Sequence, residues 1–191
     1  MAEKVKFGFS NVYYAMVTET LTDGEYTYTF GTPQALPGGV SMTLSANGER
    51  TPFRADNIDY WVGNSNSGYE GTLTMAELPN DFLVAVLGMG NSTTNELVES
   101  AKDKPMPFAL LYQVEGDTKA KRHVFYYCIA SRPDVNAETT EATITPTTDA
   151  LPFTVLPLKN GKKFIKTSVT EGNSHYSTFF ASVYVPEGVL S

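Results

Sequence analysis

One thiol and two imidazoles are the groups with which this chain could do covalent or acid–base chemistry: Cys128, His123 and His175 are its only cysteine and histidines. A nucleophilic thiol needs a neighbour that lowers its pKa and a turn that exposes it. Cys128 lies instead in Val124-Phe-Tyr-Tyr-Cys-Ile-Ala130, a β-prone run with no elbow or cap, and reads as a small buried hydrophobe. His123 follows Lys119, Lys121 and Arg122 near a hairpin signal, and His175 sits in Gly172-Asn-Ser-His-Tyr176, a turn. Neither stands in a motif that pairs it with a serine or a carboxylate. Both are expected as exposed turn or strand-end residues. A single cysteine also rules out an internal disulfide and a multi-thiolate zinc site.

Other chemistry fares no better. Asp56-Asn57-Ile58-Asp59 has the oxygen density of a calcium loop but lacks the ligand alternation, the glycine and the closing glutamate. Gly88-Met89-Gly90 lacks a third glycine and follows a helical pattern instead of opening one, so it reads as a helix stop. Asn91-Ser92-Thr93 matches a glycosylation acceptor by letter and reads as a loop. No metal, cofactor or catalytic role is expected. Two basic clusters remain: Lys119, Lys121 and Arg122, and the hairpin lysines Lys159, Lys162, Lys163 and Lys166. In a chain of net charge −7 they read either as solvated ends or as contacts to acidic surfaces of other copies. That net charge argues against a dedicated duplex-DNA binder, which needs cations to replace counterions on phosphate.

The elements that carry these residues are mostly strands. The 191 residues, 41% of them hydrophobic, suit one domain spanning 1–191 with a real core. Asp23-Gly24, Asn47-Gly48, Glu115-Gly116-Asp117 and Asn160-Gly161 each separate two β-prone runs and predict hairpin turns, because Gly and Asn tolerate positive φ. The flanking strands are 12–20 with 25–30, 40–46 with 49–54, 107–114 with 121–130, and 153–158 with 162–170. Further strands are expected at 69–75, 142–145 and 176–185. Tyr26, Tyr28 and Phe30 alternate onto one strand face. One helix is expected at about Pro79–Leu87, with proline at its start, an apolar stripe of Phe82, Leu83, Val86 and Leu87, and Gly88 as its stop. Residues 95–103 read as a weaker helical turn. The pattern is mainly β, an antiparallel sandwich or partial barrel with one flanking helix. No apolar run approaches 18 residues, so no membrane span is indicated. The charged start Met1-Ala-Glu-Lys-Val-Lys6 lacks the apolar core of a secretory signal, so folding in the cytosol is expected.

Four blocks are familiar in combination: Ala55-Asp-Asn57 followed by Tyr60; Gly68-Tyr-Glu-Gly-Thr-Leu-Thr-Met-Ala-Glu-Leu-Pro79 with Phe82 and Leu87-Gly88; Lys104-Pro-Met-Pro-Phe-Ala-Leu110; and Ala137-Glu-Thr-Thr140 leading to Thr145-Pro-Thr147. In this order and spacing, across roughly residues 8–185, the chain resembles the major tail proteins, or tail tube proteins, of long-tailed bacteriophages, especially those with non-contractile tails. The resemblance implies a β-sandwich with a flanking helix and a structural role in the virion tail, assembled in the host cytoplasm. It implies hexameric rings of this chain stacked into a tube, with tail tip or initiator, tail terminator and tape measure proteins as partners. Double-stranded DNA then passes through the lumen without adhering and without sequence preference. Some relatives carry an immunoglobulin-like decoration domain after the tube domain; none is expected here. The inner tube of a contractile tail or tailocin is the nearest alternative, and a carbohydrate-binding β-sandwich a more distant one.

The resemblance also gives residues 56–67 a meaning. The stretch is polar and poor in strand pattern, with Tyr60 and Trp61 in its middle. An aromatic pair on an exposed loop suits an anchor in a neighbour's pocket. Asp56, Asn57, Asp59, Tyr60, Trp61, Asn64 and Asn66 are therefore the expected contacts between rings or subunits; the alternative is that Trp61 folds back on its own sheet. Lys159, Lys162 and Lys163 are expected contacts to acidic neighbours, and residues 2–10 and 186–191 are further candidates for contacts between copies.

Overall fold

The computed structural model describes residues 5–92, 96–116, 119–137, 139, 146–161 and 163–186. In chain order the elements are β1 (Lys6–Thr22), β2 (Glu25–Phe30), β3 (Gln34–Ala35), β4 (Gly39–Asn47), β5 (Arg50–Ala55), β6 (Ile58–Asn64), β7 (Gly68–Met75), α1 (Asn80–Leu87), β8 (Gly90–Asn91), β9 (Leu97–Val98), β10 (Phe108–Gly116), β11 (Lys121–Ala130), β12 (Asp149–Val155) and β13 (Lys166–Thr170). Among the described residues the fold is mainly β and antiparallel, with one helix and no closed barrel, as the alternation and turn signals predict.

A nine-stranded sheet runs β2-β1-β10-β11-β12-β7-β4, with β3 added to β1 and β13 to β11. Two strands change partner along their length, which lets one sheet wrap two cores. β1 pairs with β10 through Met16 and with β2 from Val17 onward. β11 pairs with β13 through Phe125 and with β12 from Cys128. Strand β10 is buried on both faces: Phe108, Leu110 and Tyr112 enter one core, Ala109 and Leu111 the other. A strand covered on both sides reads as a continuous apolar run, which Phe108-Ala-Leu-Leu-Tyr112 is.

The first core lies between the β1-β10-β11 layer and the β12-β7-β4 layer, with Phe82, Val86 and Leu87 of α1 joining it. Pro79 stands just before the helix, its carbonyl accepting from Phe82 and Leu83 N–H, and Gly88 ends it at φ 71°, where an added Cβ would stand 2.6 Å from the Lys104 carbonyl oxygen. Glycine is required there by both conformation and space. The second core lies on the other face of β10 and β11. Tyr26, Tyr28 and Phe30 cover it from β2, the single face that their alternation predicts, and Phe179 and Leu158 cover it from the C-terminal third. The turn between β1 and β2 is Asp23-Gly24, both at positive φ as a two-residue hairpin needs.

Four expectations fail. Asn47-Gly48 does not turn β4 onto β5: β4 pairs with β7, and Ser67 N–H donates to the Asn47 carbonyl and Ser65 N–H to that of Glu49, so the ribbon runs on past the break. Asn160-Gly161 does make a turn, with Lys163 N–H donating to the Asn160 carbonyl, but β12 and β13 then join different stretches of β11 instead of each other. Residues 176–185 form no strand. Residues 171–182 are successive turns closed by i to i−3 bonds such as Tyr176 to Asn173 and Ala181 to Thr178, and their aromatic side chains roof the second core. Leu97–Val98 pairs with Gly90–Asn91 as strands β9 and β8, where a helical turn was expected. The strand expected at 142–145 lies outside the described residues.

Candidate assembly surface

The stretch read as a polar loop is a β-hairpin. Asp56 and Asn57 both take positive φ, 51° and 62°, and form the two-residue turn between β5 and β6. Sequence reasoning missed it because the turn pair is Asp-Asn, without the glycine that usually marks such a turn. Arg54 Nε stands 3.0 Å from Asp59 Oδ1 across the ribbon, a solvent-exposed pair. Lower down, Asn64 is paired with Arg50, and Asn66 Oδ1 accepts a bond from Gly68 N–H. These polar residues therefore shape the hairpin and its root.

Its apolar residues are left in solvent. Phe53 faces Trp61 across the ladder, and Phe53, Ile58, Tyr60 and Trp61 are each 60% exposed or more. An added Cβ on Gly63 would stand 2.5 Å from the Trp61 ring, so the indole lies along its own hairpin over Gly63. Trp61 does not fold back onto the main sheet. The two-stranded ribbon belongs to neither core. Four large apolar side chains are thus exposed on one isolated ribbon, as on an interaction surface.

Among the described residues the strand path of the main sheet ends in β2 and β4, each paired on one side only. Unpaired edges template association unless they are covered. The root of the hairpin continues directly from β4 and β7, so edge and apolar ribbon lie together.

Other candidate residues are absorbed by the fold. Cys128 is wholly buried, and burial pushes its thiol pKa well up, as its β-prone setting predicts. His123 is no exposed strand end: it sits within β11, half-buried, stacked on Tyr112 with ring centroids 5.0 Å apart and Nδ1 2.7 Å from Ser168 Oγ. Burial, then Lys166, Lys6 and Lys121, hold its pKa down to about 4. The strand β13, laid beside β11, covers it. His175 is exposed in its turn, stacked on Tyr184. Lys159 pairs with Glu19 at 2.8 Å and lies over the Tyr26 ring. Lys163 is exposed, and Lys162 lies outside the described residues. Lys6 to Ser10, part of the segment expected to contact other copies, are paired with β10 of their own chain; residues 2–4 and 187–191 lie outside the described residues. Among the described residues no group of three His, Cys, Asp or Glu side chains is placed to hold a metal, and no helix is long and apolar enough to cross a membrane.

Arg122 is the residue that sequence reading misplaced most. Its guanidinium lies 3.9 Å from the Tyr176 ring centre and 4.7 Å from that of Phe180, donates to the Tyr176 carbonyl, and bonds Gln113 Oε1 at 2.9 Å. It pins the turns at 171–182 to the sheet, a role that the cluster Lys119-Ala-Lys-Arg122 does not announce.

The chain thus offers an exposed apolar hairpin, two open edges and no assembled catalytic group among its described residues. No curated protein matches it. A family model described as phage tail tube protein matches residues 43–183, from within β4 to the end of the turns that Arg122 pins. The chain belongs to the phage tail tube protein family and is a structural component of a bacteriophage tail.

Proposed function

We propose that six copies of this chain close into a ring, that rings stack into the tail tube, and that double-stranded DNA crosses the lumen during ejection. The observation that carries this reading is the β5-β6 hairpin. Burying a large apolar side chain is worth about 1.5–3 kcal/mol, and four of them stand in solvent on this ribbon. Gathered on one projection, they are costly for a solitary monomer and suited to a pocket on the next ring. The open edges β2 and β4 supply the lateral contacts, since a closed ring pairs its edges away. Lys163 and Lys159 meet acidic surfaces of neighbours, Lys159 exchanging or sharing its bond to Glu19. Tail tip, terminator and tape measure proteins start, end and fill the tube.

The test is the double variant Tyr60→Ser with Trp61→Ser. Both side chains are exposed, so the isolated subunit should keep its stability to within about 0.5 kcal/mol. Stacking should fail: electron micrographs should show short stubs or single rings. Tubes of wild-type length from the double variant would refute the role given to the hairpin.

A further inference from the structure

We infer that the outward face of the β4-β7-β12 layer is the wall past which the duplex moves; this rests on the tube reading proposed above. The ladder registers place three rows across the layer. Ser41 stands beside Thr74, and Thr74 beside Ala150; Thr43 beside Thr72, and Thr72 beside Pro152; Ser45 beside Glu70, and Glu70 beside Thr154. The alternate residues Met42 and Leu44, Leu73 and Met75, and Leu151, Phe153 and Val155 all pack into the first core, so these rows point away from it.

That face is poor in charge. Neither β4, β7 nor β12 contains a lysine or arginine, and the three rows hold one charge, the Glu70 carboxylate. The remaining groups are small, mostly hydroxyls. Such a wall stays hydrated and offers no cation to displace counterions from phosphate, so it gives a passing duplex nothing to hold. The carboxylate of Glu70, repeated once per copy, adds weak repulsion. The outward face of the β1-β2 ribbon, with Thr18 beside Thr29, Thr20 beside Thr27 and Thr22 beside Glu25, is also free of lysine and arginine, but it spans two strands where the β4-β7-β12 face spans three. Elsewhere Lys166 lies on β13, Lys121 on β11 and Lys159 beside the β1-β2 hairpin, while the β5-β6 ribbon carries Arg50 and Arg54 among its exposed apolar side chains. The open edge β4 belongs to this same layer, so lateral pairing would extend these rows around a ring.

Cysteine accessibility tests the assignment, because the native thiol of Cys128 is fully buried. Thr72→Cys and Thr43→Cys would be made separately, with Ser177→Cys on the exposed turns as an outer reference. In unassembled subunits, a small maleimide and a maleimide carried on a globular protein too wide for the bore should both label every variant. In tubes, the small reagent should still label Thr72→Cys and Thr43→Cys, whereas the protein-sized reagent should slow at least tenfold there and remain fast at Ser177→Cys. Fast labelling of tubes by the large reagent would overturn the assignment while leaving the tube standing. Labelling by neither reagent would place the face between subunits and overturn it too. So would failure of both threonine variants to assemble where wild type does, since a lumen wall tolerates so small a change. A wild type that never forms tubes would remove the tube reading itself.

Discussion

Replacing Arg122 with Ala should loosen the C-terminal third of the subunit more than any other single surface change. The guanidinium lies over two rings, at 3.9 and 4.7 Å, on a half-buried face. Contacts of that kind contribute about 0.5–1 kcal/mol each. It also donates to the Tyr176 carbonyl and to Gln113. Hydrogen bonds from a charged donor are worth about 1.5–3 kcal/mol when buried, and partial exposure lowers that to about 1 kcal/mol each. The loss comes to about 3–4 kcal/mol. With an m value near 2 kcal/mol/M in urea, the unfolding midpoint should fall by about 1.5–2 M without a change in slope. The assay is equilibrium urea unfolding of the unassembled subunit, followed by intrinsic fluorescence. Arg122→Lys keeps the charge but not the planar fork, and should recover less than half of the loss. An Ala variant within about 0.5 kcal/mol of wild type would refute the claim that this side chain pins residues 171–182.

Two other predictions concern the cores. Phe82 is fully buried, edge-on to Tyr14 at 4.9 Å and to Phe108 at 5.9 Å; Phe82→Ala should cost about 3–5 kcal/mol in the same unfolding assay, and a loss under 1 kcal/mol would show that α1 does not seal the first core. His123 has a folded-state pKa of about 4, below its ordinary 6.5. The unfolded chain therefore takes up the proton first, so the stability this residue contributes is complete above pH 6.5 and is lost as pH falls toward 4. His123→Gln should flatten the loss between pH 6.5 and 5, above the range of ordinary carboxylates; identical pH curves for the two proteins would contradict the buried, neutral imidazole.

Local signals in the sequence were enough for the elements that local chemistry controls. Pro79 and Gly88 bracket α1, Asp23-Gly24 closes the first hairpin, and the alternation of Tyr26, Tyr28 and Phe30 names the face they bury. What stayed hidden depends on partners distant in the chain. Asn47-Gly48 has the letters of a hairpin turn, yet β4 finds its partner in β7, more than twenty residues on. The run at 176–185 has strand composition, but its aromatics are used to roof a core and Arg122 holds them there. The hairpin at Asp56-Asn57 lacks glycine, and its strands lack clean alternation because they face no core. The hydroxyl rows of β4, β7 and β12 alternate visibly in sequence, but only the registers show that they form one face.

The central claim is that this subunit builds a tube. Its most direct test is negative-stain electron microscopy beside light scattering on the concentrated protein, alone and after addition of tail tip proteins as a seed. The account predicts that the pure protein polymerises slowly and that the seeded sample forms stacked rings with a bore wide enough for a duplex. A strictly monomeric species in the seeded sample, at every concentration, would contradict it.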